Sequence, residues 1–122
     1  MTRLEFLSQY EIIKKRIKLN REYILKAERE AMECGSMKLN EITSRYQDLL
    51  YEENERLIAK KFAIELAIER CPCSETEREV LYRRYILSEK WTEIAEAMMY
   101  STQHLHRLNN KALEKVVIPL YA

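Results

Sequence analysis

The stretch from Val80 to Val116, VLYRRYILSEKWTEIAEAMMYSTQHLHRLNNKALEKV, decides the fold. It reads as three short helices, the last two joined by a tight turn. Ser74-Glu75-Thr76-Glu77 opens the first of them. A Ser there accepts from the amide three residues on, and the Glu at that position reaches back to the Ser amide. Val80, Leu81 and Tyr85 then give the helix one apolar face. Leu87-Ser88-Glu89 breaks the pattern, and Trp91 to Met99 restarts it with Trp91, Ile94, Ala95 and Met98 on one side. Tyr100-Ser101 interrupts again, with Ser101 a good N-cap for the next helix. In that last helix Leu105, Leu108, Ala112 and Leu113 face inward, which leaves Thr102, Gln103, His106, Arg107, Asn110 and Lys111 facing out.

A short helix, a turn of about three or four residues and a longer helix with a polar outer face match a helix-turn-helix. Ala95, a small residue in the first of the two, lets the second approach closely. Gln, Asn and Arg can make bidentate contacts to base edges, and Thr and Lys suit phosphates. The six outward residues are therefore the expected DNA-binding set, with residues 102–116 as the recognition helix. The plainer alternative is a three-helix knot whose polar face is only solvated.

These residues also carry a family resemblance. VLYRRY followed by WTEIAEAMMYSTQHLHRLNNKALEKV resembles region 4 of bacterial sigma-70-type factors, which ends in a KAL motif after its recognition helix. It resembles still more closely the small ArpU-type transcriptional regulators of phages and prophages of Gram-positive bacteria. The shared pattern covers Glu79 to Lys115, about a third of the chain; the N-terminal half matches only in style. The resemblance implies promoter-proximal DNA binding, with RNA polymerase as a possible second partner. Its DNA-reading positions land on Thr102, Gln103, His106 and Arg107. Two departures stand out: Met99 where sigma factors often carry Gly in the turn, and His, Thr and Gln where they carry several Arg and Glu.

The rest of the chain, 122 residues with one Gly and two Pro, leaves little room for sheets or long loops. Its Leu, Ile, Glu, Lys, Arg and Ala favour helix, so the expected class is all-α. From Arg3 to about Met32, the residues Phe6, Tyr10, Ile13, Ile17, Asn20, Ile24, Ala27 and Ala31 step by fours and threes as a heptad seam. Cys34-Gly35-Ser36 ends that helix, Met37 to Thr43 reads as a linker, and a second long helix runs from about Ile42 to Arg70. Its polar middle, Glu52 to Arg56, should face solvent, and the apolar end from Phe62 to Ile68 should be buried. The pair makes a long, coiled-coil-like N-terminal hairpin over residues 1–70, for oligomerisation or docking, or else a splayed pair whose helices meet those of another protomer. Cys71-Pro72-Cys73 marks the boundary to a helix-turn-helix domain over residues 71–122. Its apolar tail, Val117 to Ala122, should pack on its own domain or on a dimer mate.

Charge tempers the DNA reading. Net charge is +1, and from Cys71 to the end seven Lys or Arg stand against seven Asp or Glu. Within this half only the segment from Met99 on is locally positive, with Arg107, Lys111 and Lys115 against Glu114. Because phosphate neutralisation supplies most non-specific affinity, a single copy should bind weakly. A homodimer, affinity borrowed from polymerase, or no DNA binding at all are the ways out. No cofactor or catalytic signature is present: no Gly-rich phosphate loop, no paired-His metal helix, and one Asp, Asp48. Cys71, Cys73, His104 and His106 do not make a metal site, since residues two apart on a helix point about 200° away from each other. No apolar run spans a membrane and no signal peptide opens the chain, so a cytoplasmic, non-enzymatic protein is expected. The alternatives to a phage-type regulator are a protein-interaction adaptor and a DNA-packaging small subunit.

Overall fold

The computed structural model describes residues 1–120, and among these every regular element is helical. The long helices α1 (Arg3–Cys34) and α2 (Met37–Glu69) are followed by α3 (Glu75–Leu81), which runs into a π-helical turn, Tyr82–Ile86. Helices α4 (Trp91–Met98) and α5 (Thr102–Lys115) complete the order. The chain divides into two compact units, one of residues 13–60 and one of residues 1–12 with the chain from Lys61 on. The apolar tail lies partly within the described residues. Val116 is buried, Val117 and Leu120 are exposed, and Tyr121 and Ala122 fall outside.

In the unit of residues 13–60, α1 and α2 lie side by side and antiparallel. Asn54 Nδ2 donates to the Ile17 carbonyl, and further along α1 the Ile24 carbonyl accepts from Gln47, nearer the start of α2. The expected seam is buried at every position except Ala27, which is half-buried. Asn20 is fully buried, and its Nδ2 donates to Asn54 Oδ1 at 2.8 Å. This changes the expectation for Glu52 to Arg56, because Asn54 faces inward to meet Asn20. Asn20 Oδ1 has no hydrogen-bond partner among the described residues. On the rim Arg16 pairs with Glu53 at 2.9 Å, which raises the guanidinium pKa and lowers that of the carboxyl.

The join between the long helices is shorter than the expected linker. Gly35 adopts φ 65° and its amide reaches the Ala31 carbonyl, as a helix C-cap in the left-handed region requires. The next residue already caps α2: Ser36 Oγ accepts from the Leu39 amide at 3.3 Å. Helix α2 therefore starts at Met37, and α1 runs on to Cys34. A Ser N-cap directly after a Gly C-cap leaves no residues for a linker.

The other unit has its core between the first turns of α1, the end of α2 and the three short helices. Phe6, Leu7, Ile64, Ile68 and Leu81 are almost fully buried, and Val80, Ile94 and Leu105 form a cluster flanked by Trp91, Ala95, Met98 and Leu108. The end of α2 buries Ala63, Ile64, Ala67 and Ile68, while Phe62 and Leu66 on the same stretch stay exposed. Arg78 turns back to donate to the carbonyls of Ile68, which also accepts from the Cys71 amide, and of Cys71, just past the end of α2. Cys71 packs against the Ala112 carbonyl, and burial pushes its thiol up to about 12.

The start of α3 follows half of the expected capping box. Ser74 Oγ accepts from the Glu77 amide at 3.1 Å. The Glu77 carboxylate does not return to Ser74. It is buried and pairs with Lys115 on α5, also at 3.1 Å, tying the first short helix to the last.

A candidate nucleic-acid interface

The outward face of α5 is built by its two ends. Helix α4 terminates at Met99, whose φ of 59° is left-handed, and the amides of Met99 and Tyr100 both return to the Ala95 carbonyl. Met99 holds this left-handed position with a residue that has a Cβ. Such a conformation costs an L-residue about 1–2 kcal/mol. The next helix is started by Ser101, in extended geometry, whose side chain accepts from the His104 amide.

This start sets the helical phase. Leu105, Asn109 and Ala112 point into the core, and Thr102, Gln103, His106, Arg107, Asn110 and Lys111 are all exposed. The structure therefore brings all six candidate residues onto one outward face. Neither Arg107 nor Lys111 forms an ion pair among the described residues, so both charges remain open to an anionic partner. Lys115, by contrast, is engaged with Glu77.

Beside this face lies a row of three side chains. The Arg84 guanidinium sits 4.8 Å from the Trp91 ring centre, and the His106 ring lies 4.5 Å from the same indole. Trp91 thus packs on the apolar cluster and also contacts the His106 ring, tilted to it by 50°. His104 engages a different neighbour, the Tyr100 ring at 4.9 Å, so the two imidazoles do not converge. The two adjacent arginines, alike in sequence, separate in structure. Arg83 is held by Glu79 and Glu89, the latter at 2.9 Å. Arg84 donates to the Glu89 carbonyl and has no carboxylate partner among the described residues. The π-helical turn containing both arginines is a local widening of a kind that recurs at functional sites.

Sequence reasoning missed one residue. Asn109 is 6 % exposed and its Oδ1 accepts from the Tyr85 hydroxyl at 3.1 Å. The available signal was its spacing: four residues after Leu105, it must share the inward face.

Polar groups on a helix with this spacing, next to unpaired cations, can donate hydrogen bonds to a regular anionic polymer and neutralise its charge. On the flank, α4 presents exposed Thr92, Glu93 and Glu96. Comparison with protein families, with curated proteins and with solved structures finds no match for this chain.

Proposed function

We propose that the chain is a sequence-specific DNA-binding transcriptional regulator of the phage or prophage type. In this reading α4 and α5 are the two helices of a sigma-region-4-like helix-turn-helix, and α5 enters the major groove. The observation that carries it is the outward face of α5, six exposed polar residues with Arg107 and Lys111 unpaired. Gln103, Arg107 and Asn110 would read base edges, while Thr102 and Lys111 would hold phosphates and His106 either. Arg84, free of a carboxylate, adds a candidate phosphate contact that Arg83 cannot. Helices α1 and α2 form the hairpin that would dimerise the protein or dock it to polymerase. A dimer doubles the phosphate contacts and offsets the small charge of one copy.

The test is selection of duplexes from a random pool, followed by affinity measurement on single-base variants of the selected site. Asn110→Ala and Gln103→Ala should each relax preference at one base pair by about 1–3 kcal/mol, while Lys111→Ala weakens all sequences alike. A wild-type protein that enriches no sequence contradicts the proposal. The exposed Met99 and Tyr100 at the turn, with the acidic flank of α4, favour as a second reading a protein-interaction adaptor. That reading expects a pulled-down protein partner lost on Tyr100→Ala, with no duplex bound.

A further inference from the structure

Beside the Arg84–Trp91 pair the unit that holds α5 carries a cleft of about 500 Å³, lined among others by Leu4, Glu11, Arg84, Tyr85, Trp91 and Asn109. That volume lies in the range of small-ligand sites, about 300–1,000 Å³. Three observations make it more than a surface dent.

Asn109 is more than nine-tenths buried, yet only one end of its amide is used. The Oδ1 accepts from Tyr85, while the Nδ2 donates to no acceptor among the described residues and is not sealed from solvent. A donor held in place by the Tyr85 bond at the other end of its amide, and open on a cleft wall, is available to an acceptor that enters the cleft. Arg84 supplies a second donor group, fixed by the Glu89 carbonyl and the Trp91 ring but paired with no carboxylate. Ser88, also on the cleft, is a non-glycine residue at φ 56°, and strained backbone of this kind clusters at binding sites.

The lining defines the chemistry. Two donor groups, one of them cationic, call for an acceptor that carries negative charge. The Glu11 carboxylate, which accepts from the Ser88 hydroxyl at 2.5 Å, places a negative charge on the same wall and penalises a dianion. With Arg84 and His106 both against the Trp91 ring, the open apolar surface is that of Leu4, half-exposed at 50 %. We infer that this cleft binds a small monocarboxylate, its carboxylate on Arg84 and the Asn109 Nδ2 and its apolar body against Leu4. The inference does not rest on DNA binding.

The experiment is a titration of the full ¹⁵N-labelled chain with sodium benzoate, followed at the Asn109 side-chain amide and at the indole N–H of Trp91, the chain's one Trp. Saturable shifts at these two groups are expected. Leu4→Glu should raise the half-saturating concentration about threefold and Leu4→Lys lower it about threefold, the scale of an exposed charge pair. Leu4 is exposed enough for both variants to fold, and Asn109→Ala should remove the saturable component. Phenylphosphonate, a dianion, should bind more weakly than benzoate. Shifts that never saturate, affinities indifferent to the charge at position 4, or phosphonate binding as tightly as benzoate would each overturn the assignment. A result of either kind leaves the reading of α5 as a DNA-contacting helix to be decided by duplex binding alone.

Discussion

Two regions of this chain use ion pairs differently. Over residues 13–60 three cations meet carboxylates, Arg16 with Glu53, Lys26 with Glu30 and Arg45 with Glu41, while others such as Lys18, Arg21 and Arg56 form no ion pair among the described residues. On the outward face of α5, Arg107 and Lys111 have none. The first pattern is what a helix pair needs to close on itself with a solvated rim. The second leaves charge available to something outside the chain. The near-zero net charge therefore hides an uneven distribution, and a whole-chain sum is a poor guide to what one face can bind.

The polar interiors differ in the same sense. Asn20 donates to Asn54 inside the long-helix pair, with its own Oδ1 sealed and without a partner among the described residues, whereas the unused Nδ2 of Asn109 opens on a cleft. A buried Asn that meets another Asn fixes register; one with a free donor on a cavity wall can meet a ligand.

The comparison can be broken or sharpened by substitution. The largest effect is expected at Leu105, fully buried between α3 and α4. Leu105→Ala should cost about 2–5 kcal/mol in urea unfolding, because the cavity adds to the lost transfer energy. Next comes Asn54→Leu, which strands the Asn20 Nδ2 in the interior and should cost about 1–3 kcal/mol. Replacing both Asn20 and Asn54 with Leu should recover that loss and give a helix pair whose register is no longer pinned, read as extra cross-links between cysteines placed along the seam. If the single and double variants are equally unstable, the Asn pair is not a unit. The smallest effect is at the turn. Met99→Gly should raise stability by about 1 kcal/mol, a shift of several degrees in Tm, because Gly takes the left-handed conformation without a Cβ clash. Ala at the same position should give almost none of that gain.

Much of this architecture was legible in the residues, for physical reasons that differ by region. Phe6, Tyr10, Ile13, Ile17, Asn20 and Ile24 repeat often enough to mark the buried seam of α1, since burial enforces the period. Ser74 and Ser101 announced their helices because capping is a local bond between near neighbours. The linker expected from Met37 to Thr43 failed because Ser36 acts as a cap at once, and polarity alone does not distinguish a linker from a first turn. Asn54 was hidden in a run of charged residues, for its burial depends on Asn20 at a distance in sequence. The exposed set on α5 followed from its phase. What sequence could not supply was the separation of Arg83 from Arg84, which depends on where Glu89 and Trp91 fall after the π-helical turn.

The central claim is that the unpaired Arg107 and Lys111 of α5 meet nucleic-acid phosphates or bases while Arg16, held by Glu53, does not. The most direct measurement is duplex affinity as a function of salt for wild type, Arg107→Ala and Arg16→Ala. The account predicts a steep negative slope for wild type, a slope smaller by about 1 for Arg107→Ala, and no change for Arg16→Ala. Binding that is flat in salt, or a slope that Arg16→Ala reduces and Arg107→Ala does not, contradicts it.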